Sequence, residues 1–339
     1  MFRLSNRTAP PNTSELQLLT SEPEPEPTIS PLGETSQEHR IISRALAAAH
    51  LGRVALDVPP GDDAAVLADG TALTVDLLVE GVHFTEHTTA SDVGYKAVAV
   101  SVSDCAAMGA RPTWMLLGLA TRGDDLWTRQ LLEGVGQAAQ AFDVDLIGGD
   151  TTGTTGPRCI SITMAATCER PVRRDTGSPG DVILVTGVPG LAGAGYLLEH
   201  PGKVALAALH RPTPRLAFML DARPWVTSAM DLSDGLATDL PRLATASGCG
   251  ARVDPSSLPD HPELHGAGPD RRTLQLAAGD DYELLITASA EHVPHLNDIA
   301  AKHTLELSAI GHLTDDADAR CVDGPWPASP WSHHQVSVS

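Results

Sequence analysis

Hydrophobic positions along this chain follow two spacings that alternate with each other. The helical spacing places Ile41, Ile42, Ala45, Leu46 and Ala49 on one stripe, behind Thr35 and Glu38 at the separation of a capping box. It returns over residues 92–108, closed by Gly109 and then Pro112 in the manner of a glycine-capped helix end. A third stripe covers 126–142, where Leu131, Leu132, Val135, Ala138, Ala139 and Phe142 share a face. Short apolar runs predict strands: 71–75 leading into Asp76, 144–147 leading into Gly148-Gly149-Asp150, and 159–168. The run 181–186 is a further strand, entering the glycine-rich loop 187–195 and then a helix. That loop matches neither GxGxxG nor a Walker loop. Residues 236–246 are helical in pattern, and Pro241 puts the start of the helix proper near Asp239. Basic residues, Gly177 and Pro179 interrupt the pattern over 169–179. Mixed elements on both sides of that break predict an α+β chain of two layered domains, 33–168 and 169–339.

Length agrees, since 339 residues suffice for two domains that each build a core. Apolar content of 42% and charged content of 19% are those of a soluble globular protein. Residues 1–32 differ: they are rich in Pro, Glu, Ser and Thr and bury too little apolar surface to offset ordering entropy. A disordered tail without a catalytic part is expected there. Cysteines 105, 159, 168, 249 and 321 form no CxxC pair and no zinc-like spacing, which predicts free thiols of a reducing compartment. The first residues carry no apolar core of a signal peptide, and the longest uncharged run, 182–198, holds four glycines and Pro189 rather than a membrane span. A cytoplasmic protein is expected.

Charge narrows the function. A formal net charge of −20 argues against nucleic acid and anionic membrane surfaces, both of which need a basic footprint. An acidic protein that binds an anionic nucleotide must recruit cations, and six aspartates stand beside small residues where they could hold them. They are Asp63 in Gly61-Asp62-Asp63-Ala64-Ala65, Asp76 after Thr74-Val75, Asp104 in Ser103-Asp104-Cys105, Asp150 in Gly148-Gly149-Asp150, and the pair in Asp231-Leu232-Ser233-Asp234-Gly235. Any one of these alone reads first as a structural turn or cap. Together they suit hard, oxygen-liking Mg2+ bridged to phosphate, and so a phosphoryl-transfer site. Asp104 falls in the last turns of its helix, where the dipole disfavours an acid and a nearby cation would favour it.

These motifs, with Asp76-Leu77-Leu78-Val79-Glu80-Gly81-Val82-His83-Phe84, Tyr95-Lys96-Ala97 and Gly279-Asp280-Asp281-Tyr282-Glu283-Leu284, resemble the thiamine-monophosphate kinase family in its own order from about residue 38 onward. That family belongs to the superfamily of aminoimidazole ribonucleotide synthetase and selenophosphate synthetase. The resemblance implies a two-domain α+β fold of that superfamily. It implies ATP-dependent phosphorylation of thiamine phosphate, several Mg2+ ions, and a homodimer whose N-terminal domains pair as a barrel. By position it implies metal ligands at Asp63, Thr74, Val75, Asp76, Asp104, Asp150, Asp231 and Asp234. It implies ATP contacts at Gly149, Asp150, Arg174 and Ser233, with Asp150 and Arg174 closest to the chemistry, and substrate contacts at His83, Asp280 and Trp331. Val75 replaces a common hydroxyl-bearing residue, so only its carbonyl is left to ligate. Asp280 stands where glutamate is usual, and the family's C-terminal ending is loosely kept at Trp331-Ser332-His333-His334.

The residue types fit the chemistry. A phosphomonoester with a second pKa near 6 is already a dianionic nucleophile, so no general base is required. The obstacle is repulsion between anions, which metals and positioning relieve. Arg174 has the planar fork that matches phosphoryl oxygens, with Arg173 as its alternate and a solvated linker arginine as the plainer reading. Trp331 could stack on a cationic ring or pack in a core, and His83 could equally be a core histidine. Asp62, Asp281 and Glu283 are either structural or supports for the ligands. Two alternatives remain at this point: another enzyme of the superfamily with a different acceptor, or a non-catalytic cation-binding protein. The reactive cysteine of the selenophosphate enzyme and the C-terminal cysteine of the carbamoyl-dehydrating relative are both missing from their expected places.

Overall fold

Two sheets of six strands each frame the computed structural model, which describes residues 37–49, 52–316 and 320–322. The expected tail 1–32 and Trp331 lie outside the described residues. The first half contains α1 (Gln37–Ala49), β1 (Leu56–Val58), β2 (Ala65–Leu67), β3 (Thr71–Val79), α2 (Ala90–Ala107), β4 (Arg111–Thr121), α3 (Asp125–Phe142), β5 (Asp145–Gly153) and β6 (Cys159–Thr167). Its strands run in the order β1-β2-β3-β6-β4-β5, with β5 parallel to β4 and the other pairs antiparallel.

Helix α2 is the axis of the fold. Thr89 caps it, its side chain accepting from the Asp92 N–H, and Gly109 ends it at φ 64. Val93, Ala97, Val100 and Val102 pack with Ile160, Ile162 and Met164 of the sheet and Leu131 and Val135 of α3. The α2 and α3 backbones approach so closely that a Cβ added at Gly94 would lie 2.1 Å from the Leu131 carbonyl oxygen, and one at Gly134 would lie 1.9 Å from that of Ser91. Ala106 and Ala107, at the other end, join Phe218 and Met219 in the core of the second half.

The second half contains β7 (Val182–Thr186), α4 (Leu191–Leu197), α5 (Lys203–His210), α6 (Leu216–Ala222), β8 (Ser228–Asp231), α7 (Leu236–Ala246), β9 (Gly250–Val253), α8 (Arg271–Ala277), β10 (Leu284–Ala288), α9 (Val293–Lys302), β11 (Leu307–Thr314) and β12 (Arg320–Val322). Strand order is β12-β9-β11-β7-β10-β8. Phe218, Met219, Leu296 and Ile299 of α6 and α9 build one core with this sheet, and Leu236, Leu240, Leu243 and Leu276 of α7 and α8 build another.

Two sequence expectations are corrected. Helix α7 starts at Leu236 rather than near Asp239, and Pro241 lies inside it. Gly235, at φ 94, turns the chain and accepts from the Thr238 and Asp239 N–H groups, and burial of Leu236 and Leu240 outweighs the bond that proline removes. Asp76 and Gly148-Gly149-Asp150 do not stand on turns after strands but inside β3 and β5. Full-length pairing with neighbours holds them extended, and glycine is needed at 149 because a Cβ there would lie 2.0 Å from the Leu117 carbonyl oxygen.

Candidate active site

Three carboxylates converge where the two halves meet. Asp63 comes from the turn before β2, Asp104 from the last turn of α2 and Asp231 from the end of β8, and an oxygen from each lies within 4.8 Å of the others. Hydroxyls fix their rotamers: Thr74 Oγ1 donates to Asp104 Oδ2 at 2.5 Å, and Ser103 Oγ to Asp231 Oδ2 at 2.7 Å. Beside them, Ser101 Oγ donates to Asp76 Oδ2 at 2.6 Å. These bonds engage one oxygen of each carboxylate. Asp63 is held differently, by Arg174, whose Nη2 donates to Asp63 Oδ1 at 2.5 Å while its Nε and backbone N–H donate to Asp62 at 3.1 Å each.

Charges of one sign gathered here resist ionisation. Burial, opposed mainly by Arg174, pushes Asp63 up to about 6. Asp104 and Asp231 are driven well above the usual carboxylate range, first by burial and then chiefly by other carboxylates. Asp63 Oδ2 is buried and has no hydrogen-bond partner. A buried, partnerless oxygen among crowded carboxylates fits a hard cation and little else. Asp234 stands nearby on the β8–α7 loop, accepting from Arg242 at 2.6 Å, and Arg242 also pairs with buried Asp239 at 3.0 Å. Burial, aided by Asp234, pushes Asp239 up to about 8.

A cavity of about 260 Å3 opens at the far end of α2, lined by His83, Phe84, Tyr196, Leu209, His210 and Asp280 among others. His83 Nδ1 accepts from the Val79 N–H at 3.0 Å, which leaves Nε2 as the ring's donor. Asp280 is tied to the carboxylate loop through its N–H, which donates to the Ser233 carbonyl at 2.8 Å.

Comparison with known proteins gives this geometry a family. Residues 61–169 match the AIR synthase related protein N-terminal domain, and 178–324 match the C-terminal domain of the same family. The thiamine-monophosphate kinase of Escherichia coli (strain K12) is 35% identical over 305 residues, which are 84% of this chain and 92% of that protein. The chain belongs to the thiamine-monophosphate kinase family. The Bacillus subtilis (strain 168) member is 33% identical over 79% of this chain and 88% of its own. The thiamine-monophosphate kinase structure from Stenotrophomonas maltophilia K279a superposes with a TM-score of 0.71 at 36% identity, covering 86% of this chain and 98% of that one. A structure of AaThiL complexed with AMPPCP and TMP superposes at 0.74 with 27% identity, covering 85% and 94%. The expected two-domain α+β fold is the fold of these relatives.

Within this thiamine-monophosphate kinase fold, the residues named from sequence separate into groups. Asp63, Asp104 and Asp231 come together, with Thr74 bonded to Asp104 and with Asp76 close enough to raise Asp104 and Asp231 by its charge. Val75 points its side chain, 64% exposed, to the opposite face of β3. Gly149 and Asp150 are not brought to the cluster within one chain. Asp150 is level with Leu77 but three strands away, roughly 14 Å at about 4.8 Å per strand. His83 and Asp280 meet at the cavity. Sequence reading gave no role to Ser101, Ser103, Lys96, Asp239 or Arg242. A lone lysine and two serines in the otherwise apolar run 93–103 were the available signal for the first three.

Proposed function

We infer that the protein transfers the γ-phosphoryl group of ATP to thiamine phosphate, giving thiamine diphosphate and ADP. The observation that carries this is the convergence of three carboxylates, one of them with a buried, partnerless oxygen, in a chain whose relatives bear that activity in their names. AaThiL, solved with AMPPCP and TMP, supports ATP as donor and a thiamine ester as acceptor. An acceptor phosphate oxygen forms the new P–O bond as the bond from the γ-phosphorus to the β–γ bridging oxygen breaks, and ADP leaves. No proton need be removed from a dianionic acceptor.

In this reading Asp63, Asp104 and Asp231 hold Mg2+, with Asp76, Asp234, the Thr74 hydroxyl and the Val75 carbonyl at neighbouring positions. Bound there, magnesium neutralises charge on the donor phosphates. Thr74, Ser101 and Ser103 orient the carboxylates. Arg174, already forked across Asp62 and Asp63, meets the phosphates with its remaining donors, together with Ser233 and with Gly149 of a second copy. His83 and Asp280 receive the thiamine moiety, with Trp331 as a third contact. Such a constellation works by positioning and charge rather than by covalent chemistry.

The reading includes a cytoplasmic homodimer. Every residue of β5 is exposed, including Leu146 (46%) and Ile147 (60%), and β5 is the outermost strand of its sheet. Beyond Leu73, β3 is paired only to β6 among the described residues, and Val75 and Leu77 are exposed on its open face. Free edges and an apolar face of this kind call for a cover, and a second copy supplies both. A two-fold copy that sets its β5 beside this β3 would bring its own Asp150 to Asp76, completing the site that one chain leaves divided. No helix of the described residues is long and apolar enough to cross a membrane. The test is formation of ADP and thiamine diphosphate from ATP, Mg2+ and thiamine phosphate, with thiamine as control acceptor. Product from the monophosphate alone, lost on chelation, is expected; ATP binding without turnover would move the search to other acceptors.

A further inference from the structure

A second charged centre lies away from the carboxylate cluster. Lys96, on α2 and 3% exposed, donates from Nζ to Asp280 Oδ2 at 2.7 Å, and Asp280 is itself 4% exposed. The Tyr282 hydroxyl donates to the other oxygen, Oδ1, at 3.0 Å. Asp280 and Tyr282 both hold left-handed backbone, at φ 73 and φ 51, which costs a residue with a Cβ. The strain is sustained by surrounding bonds. Besides the Asp280 N–H to Ser233, the Tyr282 N–H donates to the Leu232 carbonyl at 2.9 Å, and Asp281 accepts from the Gly190 and Ala192 N–H groups at 2.6 and 3.1 Å. Buried ion pairs are weak sources of stability, because desolvation offsets their attraction. A strained, fully bonded carboxylate at the wall of a cavity is better explained by what enters the cavity.

We propose that Lys96 is a positioning residue for the acceptor. By fixing one oxygen of Asp280, it sets the direction in which that carboxylate faces the cavity shared with His83, Phe84, Tyr196 and His210, and so the affinity for the cationic heterocyclic end of the acceptor. This rests on the thiamine phosphate reading above. Lys96 precedes Asp104 by eight residues on the same helix, about 12 Å at 1.5 Å per residue. One rigid element thus carries the determinant for the ring end and a carboxylate for the phosphate end. Without the ammonium group, Asp280 Oδ2 loses the bond that sets its direction, and the carboxylate no longer faces the ligand in that orientation.

The test is steady-state kinetics of the full chain, varying thiamine phosphate and ATP separately, for wild type, Lys96→Met, Asp280→Asn and the double variant. Lys96→Met is expected to raise KM for thiamine phosphate about 10- to 100-fold, the scale of one charge-assisted contact, while KM for ATP and kcat stay within about threefold. In the Asp280→Asn background the same substitution is expected to add nothing. Equal rises in both KM values, or an undiminished effect of Lys96→Met in the Asp280→Asn background, would overturn the proposal. Should Lys96→Met fail to fold, the double variant buries no unpaired charge and decides alone. A KM for thiamine phosphate equal to that of Asp280→Asn supports the proposal, and a further rise overturns it. A wild-type protein that does not turn over thiamine phosphate sinks the functional reading and this inference with it, whereas an active wild type with no KM shift in the variants sinks the inference alone.

Discussion

Replacing Asp104 with asparagine separates the two demands placed on the carboxylate cluster. Its carboxylate accepts from Thr74 and has an oxygen within 4.8 Å of both Asp63 and Asp231. At that separation, and at an effective dielectric of about 20, two unit charges repel by about 3.5 kcal/mol. The full figure is not realised, because burial and the neighbouring acids push Asp104 far up, and the cluster takes on a proton instead of holding every charge. An amide keeps the volume and an acceptor for Thr74 while removing one titrating charge. Metal-free Asp104→Asn should therefore gain about 1–3 kcal/mol, seen as a melting temperature higher by roughly 1–4 °C. The same change removes an anionic ligand, so turnover should fall at least about a hundredfold. Thermal melting in chelator and across a MgCl2 titration, paired with an ADP-release assay, reads both effects. Magnesium should stabilise the wild type more than the variant. A metal-free variant that melts below wild type, or one with undiminished turnover, would refute the electrostatic account of the cluster.

Asp63, at about 6, and Asp239, at about 8, bind protons more tightly folded than unfolded, so the metal-free protein should lose stability as pH rises from about 4 through 8. Melting in chelator across that window checks it, and a rising curve contradicts it. Asp150→Asn should abolish turnover while leaving the fold and the dimer intact by circular dichroism and light scattering, since the amide keeps the side chain's size; wild-type activity would remove Asp150 from the site. Ile147→Lys should turn a dimer into monomers by light scattering and lower activity with it, and a wild type that is already monomeric would rule out the paired sheets. Gly134→Ala should cost about 2–4 kcal/mol in urea unfolding, because the new methyl meets the Ser91 carbonyl, and wild-type stability would mean the helices are not so close.

Much of the frame was legible because burial and period agree. The 126–142 stripe became α3 almost to the residue, and the 92–108 stripe became α2. Legibility failed where pairing partners decide. Gly148-Gly149-Asp150 has the composition of a turn, yet a parallel neighbour holds it extended, and nothing local in the sequence carries that partner. Pro241 misled for the same reason: its cost is local, and the burial that outweighs it is distant in the chain. Among candidate site residues, the clustered aspartates could be named because motif order carried them. The residues that hold them could not, since a serine on a helix has the same letter whether its hydroxyl meets water or, as Ser103 does, an aspartate from the other half of the molecule.

That last contact explains why two halves with separate cores can share one reaction. Ser101, Ser103 and Asp104 on α2 meet Asp76 of the first sheet, Asp231 of the second and Thr74 of β3, while Lys96 on the same helix meets Asp280 on the loop between α8 and β10. Each pairing is a short hydrogen bond to a carboxylate, and all originate on a helix whose own position is fixed by glycine contacts to α3. A shift of α2 by half an ångström would therefore move the Asp63–Asp104–Asp231 cluster and the Asp280 carboxylate together. Phosphoryl transfer by positioning demands that the donor and acceptor ends keep their spacing, and anchoring both to one buried helix meets that demand more simply than two independent loops would.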